Sequence, residues 1–283
     1  MRFDRNLALK LPIPVPPALD TYLEQWKPKI HFELKQSRYL IKTAQTAHEF
    51  EDTIRLRSEV FLKEFAGKEG DDLLDIEDRD CDADFLIIKD AVTHDIYASY
   101  RLICSDFSDN FYSKSEFSIE DFLIHPGKKL ELSRACVRAD KRTSGIFLHL
   151  LWRGLIEYIR LSGSRYLFGC SSIQYLKLPE LVSVYQSLSR LDAISEDFGI
   201  KPLPSYSILD LQGLLKGRPA IHEAGKTVEE LPLPPLLMGY VKAGAKVYGA
   251  PAYDQDFGCL DLFTVLDFEN LNAVFVKRYL NPN

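Results

Sequence analysis

The chain has 283 residues, 46% of them hydrophobic and 27% charged, with a mean hydropathy of −0.13. That is enough apolar material for a sizeable core, and it excludes a disordered composition. Its 35 basic and 41 acidic residues leave a net charge of −6, which argues against nucleic-acid binding, a function that calls for a basic excess.

Residues 1–36 carry a proline cluster, Pro12, Pro14, Pro16 and Pro17, and then a short helical stretch from Asp20 to Trp26. They read as an arm lying on a domain that fills 37–283. Tyr39 to Ala44 alternates like a strand. Thr46 to Phe65 reads as a helix, with Phe50, Ile54, Val60 and Phe61 near helical spacing. An acidic loop, DDLLDIEDRDCDAD (71–84), separates it from two strands, Phe85 to Lys89 and Ile96 to Ser105, with His94 and Asp95 in the turn between them. After a polar loop (106–129) comes a strong strand, ELSRACV (131–137), a basic turn, RADKRTSG (138–145), and a long helix from Ile146 to Ser162. Tyr166 to Cys170 is the next strand, and about 174–230 reads as a helical, loop-rich insertion. Pro234 and Pro235 start a helix that Gly244 ends, and strands at about 246–250 and 258–266 complete the pattern. A strand leading through a Gly-containing basic turn into a helix predicts a mixed α/β sheet with a phosphate site at the helix start.

Five cysteines, at 81, 104, 136, 170 and 259, include no C-x-x-C pair, so neither a zinc knuckle nor a disulfide framework is indicated. A reducing cytoplasm is the expected setting. The N-terminus has no apolar core of signal-peptide length, and no stretch approaches the ~18 apolar residues of a membrane span. The six histidines show no metal spacing, and His48 and Asp52 stand too close for the H-x-x-x-x-D signature of glycerolipid O-acylation. The acidic loop lacks the calcium-loop pattern, so no metal is expected.

Eight segments occur in the order expected of one family: RLRSEVF (55–61), the acidic run to Asp80, YRLI (100–103), FYSKSEF (111–117), ELSRACV (131–137), LWRGLIEY (151–158), YLFGCSS (166–172) and PPLLMGYVKAGAKVYGAPAYDQDFGCLDLF (234–263). Together they span roughly residues 39–266, and the chain resembles the GNAT acyltransferases of the ornithine-lipid (hemolysin-like) branch, relatives of the acyl-homoserine lactone synthases. The resemblance implies the GNAT (acyl-CoA N-acyltransferase-like) fold, a mixed sheet flanked by helices. It also implies transfer of a long-chain, in some members 3-hydroxylated, acyl group from acyl carrier protein to the amine of an amino acid such as ornithine. Synthesis of an N-acyl amino acid or homoserine-lactone signal, acetyl-coenzyme A-dependent N-acetylation and a non-catalytic carrier-binding role stand as alternatives. Two positions depart from the pattern. The phosphate turn, Arg142 to Phe147, has one glycine and a bulky last residue, which favours a carrier-borne donor over coenzyme A, and Phe85 stands where the branch often has histidine. The resemblance implies an acyl thioester, of carrier protein or coenzyme A, as co-substrate and no further cofactor, and the expected setting is cytoplasmic, with or without peripheral contact at the inner membrane.

Amide formation requires that the amine lose a proton, the carbonyl oxygen be stabilised, the thiolate leave and both substrates be aligned. The resemblance assigns proton removal to Glu131, at the head of a motif that also holds Ser133 and Arg134. A carboxylate on a buried strand is raised toward neutrality, which suits a base, although a structural pairing with Arg134 or Arg101 is the alternative. Arg134 and Arg101 suit either the grip of an acceptor carboxylate or the anchoring of the acidic loop. Strand alternation puts Glu131 and Arg134 on opposite faces unless a bulge changes the parity. Arg57 and Phe61, one helical turn apart, share a face that the resemblance puts beside the reaction centre. Asp75, Glu77, Asp78 and Asp80 suit attraction of a cationic amine and orientation of Arg57, or else form a solvated charge run. Arg138, Lys141, Arg142, Ser144 and Gly145, ahead of the long helix, suit a phosphate and an acidic carrier protein. Cys136 and Cys170 read as buried and inert.

Overall fold

The computed structural model describes residues 19–70, 73–143, 145–174, 178–208 and 233–280. Within them the expected arm enters the domain. Helix α1 (Leu19–Gln25) and the following Trp26 lie on Phe50 and Phe85, with Trp26 and Phe50 ring centroids 4.9 Å apart. Strand β1 (Glu33–Gln36) pairs antiparallel with β2 (Tyr39–Thr43). Residues 1–18 of the arm lie outside the described residues, as do 175–177 and 209–232 of the expected insertion.

Helix α2 (Ala47–Arg57) starts where Thr46 caps it, the Thr46 hydroxyl accepting from the Glu49 N–H at 3.2 Å. Its continuation, Ser58–Phe65, is wound in wider turns, and the Ala66 N–H reaches back five residues to the Phe61 carbonyl. Strands β3 (Asp84–Asp90) and β4 (Ile96–Cys104) follow as expected. The polar loop expected over 106–129 holds β5 (Phe117–Ser118) and the one-turn helix α3 (Glu120–Ile124). Next come β6 (Lys129–Val137), α4 (Ile146–Ser162), β7 (Tyr166–Gln174), α5 (Leu178–Arg190) and the short strands β8 (Ile194–Ser195) and β9 (Lys201–Pro202). Helix α6 (Pro235–Ala243) opens on a proline and stops at Gly244, whose φ of 112° is open to glycine and costly for other residues. Strands β10 (Lys246–Tyr248), β11 (Ala252–Asp254) and β12 (Cys259–Asp267) precede helix α7 (Ala273–Tyr279), which the sequence reading had missed together with β1 and β11.

The main sheet runs β1-β2-β3-β4-β6-β7-β12-β10-β8, with β11 hydrogen-bonded to β12. Its neighbours are antiparallel except for β6 with β7 and β10 with β8. Alternate strand residues feed two cores. Ile41, Leu86, Leu102 and Leu132 meet α4, α6 and α7 on one face, while Phe85, Ile87, Ile103 and Phe168 meet α1, α2 and α3 on the other. This is the mixed sheet flanked by helices that the sequence predicted. No helix among the described residues is long and apolar enough to cross a membrane.

Two irregularities in the middle of this sheet shape everything that follows. Strands β6 and β7 pair only from Lys129 to Glu131 and from Tyr166 to Phe168. Beyond that point β6 stays with β4 while β7 follows β12 as far as Cys259. Gly169 sits at the parting, where a Cβ would fall 2.2 Å from the Leu132 carbonyl oxygen, so a side chain there would force the strands apart earlier. The second irregularity is a bulge in β6. Arg101 lies opposite Ser133 but Ser99 lies opposite Cys136, so β6 carries one residue more than β4 across this interval. Arg134 takes up the bend at a φ of 50°, an uncommon conformation for a residue other than glycine.

Candidate active site

A cavity of about 340 Å³ opens where β6 and β7 part. Leu132, Leu167, Leu266 and Tyr240 line it from the α4 side of the sheet, and Phe61, Phe168 and Cys170 from the α2 side. The cavity therefore passes through the sheet, at the place where the two strands leave each other's backbone groups unpaired. Its α4 limb is apolar and reaches Tyr100 and Tyr240, whose hydroxyls hydrogen-bond at 2.8 Å. The other limb is walled by charge.

One charged wall is a compensated network. Arg57, expected near the reaction centre, is fully buried; its Nε donates to Asp75 at 3.0 Å and its Nη1 to Asp80 at 2.8 Å. Arg101, also fully buried, donates to the same Asp80 oxygen at 3.1 Å and to the Ser133 hydroxyl at 2.9 Å. Arg134 donates from Nε to Asp75 at 3.1 Å and from Nη2 to Glu77 at 2.6 Å. Burial pushes Asp75 up, but the Arg57 and then the Arg134 guanidinium more than offset it and hold the carboxyl at about 2. Asp80 is likewise lowered, by Arg57 and Arg101 against the cost of burial. The bulge makes this possible. It turns Arg134 onto the face that Ser133 already occupies, the parity change that simple alternation forbids.

Of the predicted residues, Phe61, Ser133 and Arg134 line the cavity, with the Arg134 guanidinium 5.5 Å from the Phe61 ring centre, 5.1 Å from Tyr112 and 5.4 Å from Phe257. Arg57, Asp75, Asp80 and Arg101 stand behind it and hold Arg134 and Ser133 in position. Asp78 is outside the network and accepts from the Tyr22 hydroxyl at 3.1 Å. Glu131 is fully buried and is not part of the cavity wall. Its two carboxylate oxygens accept the Tyr112 and Ser113 backbone N–H groups, each at 2.7 Å. Burial raises its pKa, against the lowering effect of those two N–H groups. The immediate effect of Glu131 is to fix the Tyr112 turn, and with it the aromatic ring beside Arg134.

The basic turn is largely neutralised by its own neighbours. Arg138 and Lys141 pair with Asp140 at 2.7 and 3.0 Å. Arg142 forks onto Glu64 and lies 5.6 Å from the centre of the exposed Phe65 ring, which lines the cavity. The turn thus adjoins the cavity, and Gly145 leads directly into α4. Ser144 lies outside the described residues.

The second charged wall escaped the sequence reading. Asp254 on β11 lies opposite Cys259 on β12, and Asp261 follows on the same face of β12. All three line the cavity, and their ligand atoms lie within 4.8 Å of one another. Behind them Glu116 is 1% exposed, and its carboxylate meets no N–H donor, with the Tyr112 hydroxyl and the Asp261 carboxyl as its polar neighbours. Burial and the adjacent Asp261 carboxylate raise the pKa of Glu116, and burial raises that of Asp261, which accepts from the Ser172 hydroxyl at 2.5 Å. The cysteines are passive. Burial pushes the Cys136 thiol up to about 12 and lifts Cys170 well above its usual value. The signal available in the sequence was the alternation of Cys259 and Asp261 inside a motif that otherwise resembles an ordinary strand, together with the carboxylate in FYSKSEF.

The family model for the acetyltransferase (GNAT) domain matches residues 56–153. An L-ornithine N(alpha)-acyltransferase of Rhizobium meliloti (strain 1021) is 30% identical over 255 residues, covering 85% of this chain and 82% of the relative. One from Brucella abortus (strain 2308) is 26% identical over 266 residues, covering 88% of each. Among solved structures, the AHL synthase LasI superposes with a TM-score of 0.46 at 11% identity, over 86% of this chain and 95% of its own.

Proposed function

The chain belongs to the L-ornithine N(alpha)-acyltransferase family of GNAT acyltransferases, and we propose that it transfers a long-chain fatty acyl group from acyl carrier protein to the α-amine of ornithine. The observation that carries this reading is the cavity through the sheet, apolar on one side and charged on the other. An acyl chain fills the limb between Leu132, Leu167 and Leu266, and an amino acid occupies the limb beside Arg134. Their reactive ends meet where β6 and β7 part.

There the amine nitrogen attacks the thioester carbonyl carbon. The C–N bond forms, the C–S bond breaks, and the proton lost by the amine ends on the departing thiolate, so that the carrier's arm leaves as a free thiol. Beyond Glu131, β6 has no β7 partner, so its backbone groups on that edge are free to hold the amide-bearing arm of the donor and the developing oxyanion. The Arg134 guanidinium, clamped by Asp75 and Glu77, is a fixed cationic donor for the ornithine carboxylate. Direct transfer is favoured over an acyl-cysteine intermediate, because burial keeps the thiols of Cys136 and Cys170 protonated.

Carrier protein is the preferred donor for two reasons. The turn from Arg138 to Gly145, whose ion pairs with Asp140 and Glu64 are solvent-exposed and open to exchange for a carrier's carboxylates, borders the cavity where Arg142 lies over Phe65, and the apolar limb has no use in acetyl transfer. A lipid-like product leaving past the exposed Phe65 suits peripheral contact with a membrane. The test is single-turnover acylation of ornithine by a long-chain acyl-carrier thioester, with the product identified by mass spectrometry and acetyl-coenzyme A run in parallel. N-acyl-ornithine from the carrier thioester is expected. Efficient use of acetyl-coenzyme A with no product from the carrier would overturn the reading.

A further inference from the structure

Most of the buried charge in this protein is matched within hydrogen-bonding distance, but the wall formed by Glu116, Asp254 and Asp261 is not. Asp254 and Asp261 face the cavity within 4.8 Å of each other, so a single small cation can touch both. Glu116, almost completely buried behind Asp261, meets no N–H donor or cation; its polar neighbours are the Tyr112 hydroxyl and the Asp261 carboxyl itself. Leaving such a group unsatisfied is costly, and a cavity next to it is where the missing partner would sit. Arg134 is near, but its Nε and Nη2 point to Asp75 and Glu77 and it forms no ion pair with Asp261 or Asp254.

We propose that this wall, centred on Asp261 with Asp254 and Glu116, is the subsite for the side-chain ammonium of the acceptor, so that the enzyme selects amino acids with a cationic side chain. The assignment rests on the acyltransferase reading given above. An ammonium group brings three donors and one positive charge, which suits acceptor oxygens arriving from several directions. Arg134 and the acid wall stand on the same limb of the cavity, so a bound amino acid would place its carboxylate on the one and its side chain on the other, leaving the α-amine to the thioester. A divalent metal suits the site less well. Burial and then Asp261 push the Cys259 thiol up and oppose the thiolate a metal would need, and the Arg134 charge acts on the same Asp261. Without a bound cation the wall holds a proton instead, as the raised pKa values of Glu116 and Asp261 reflect.

The experiment compares kcat/KM for ornithine and for norvaline, which has the same carbon chain without the terminal amine, using the full-length protein and a long-chain acyl-carrier thioester. Wild type, Asp261→Asn and Asp254→Asn are each assayed with and without EDTA, and a melting curve accompanies every variant. The wild type is expected to favour ornithine by at least about 30-fold, the scale of a buried charge contact, and Asp261→Asn to reduce that ratio by at least about tenfold. Equal use of ornithine and norvaline by the wild type overturns the subsite while N-acyl transfer stands. A ratio that does not move in folded Asp261→Asn and Asp254→Asn does the same. A preference that EDTA abolishes identifies a metal site and also overturns it. If no amino acid is acylated at all, the acyltransferase reading itself fails, and the subsite falls with it.

Discussion

Two charged walls border the same cavity, and they are built on opposite principles. On one, Arg57, Arg101 and Arg134 meet Asp75, Glu77 and Asp80, and every carboxylate has at least one guanidinium within 4.0 Å. On the other, Glu116, Asp254 and Asp261 crowd together with no arginine or lysine in an ion pair among the described residues. Burial acts in the same direction on both sets of carboxyls, and the difference in their acidity comes from their partners: Asp75 is held at about 2, whereas Glu116 and Asp261 are raised. The compensated wall is scaffold, fixed before any substrate arrives. The uncompensated wall is incomplete alone, which is the condition of a binding site. A buried charge left without its partner either shifts its pKa or recruits one.

The largest effect is expected from breaking the compensated wall. Asp80→Ala takes the shared carboxylate from two fully buried guanidiniums, leaving Arg57 with Asp75 and Arg101 with Glu77, and is expected to cost about 3–5 kcal/mol in chemical denaturation. A loss under ~1 kcal/mol would mean that the network is not a scaffold. The same wall has a pH signature. Because Asp75 and Asp80 are lowered in the folded state, their contribution is complete above the ordinary carboxylate pKa of ~4 and is lost as pH falls through about 2 for Asp75.

A smaller effect is expected at Glu131, which belongs to neither wall but holds the Tyr112 turn between them. In Glu131→Gln an amide NH2 would face one of the two backbone N–H donors, so a loss of about 1–3 kcal/mol in thermal unfolding is expected. Single-turnover acylation decides between this positioning role and proton removal. An unchanged melting curve with a rate lowered by ~10²–10⁴ and partly restored at high pH would assign proton removal to Glu131.

The smallest effect has the opposite sign. The pKa of Glu116 is raised in the folded protein, so its ionisation destabilises the fold progressively as pH rises from the unfolded value of ~4.3. Glu116→Gln escapes that loss and is expected to be more stable than wild type by about 1 kcal/mol at neutral pH, with no difference below about pH 4. Melting curves across pH check it, and a variant less stable at every pH would show that the acid wall is compensated after all.

Much of this protein is set by local sequence. Hydrophobic spacing determined α4 and strands β2, β3, β4, β6 and β7, Pro235 and Gly244 determined the limits of α6, and the Thr46 cap determined the start of α2. These elements depend on neighbours a few residues apart, so their signals lie within a short window. Strand β1, at the sheet edge with alternating partial exposure, offered no such signal, and neither did the three-residue β11. The ordered motifs also carried the family, and they included Phe61, Ser133 and Arg134, which line the cavity. Tertiary structure alone decided what each charge does. The β6 bulge set the face that Arg134 occupies, burial turned the acidic loop from a solvated run into a scaffold, and the β11–β12 hairpin brought Asp254 and Asp261 in front of Glu116, more than a hundred residues away in the chain. A carboxylate's protonation and its partner are properties of the space around it, and that space is assembled from chain segments whose sequences carry no record of one another.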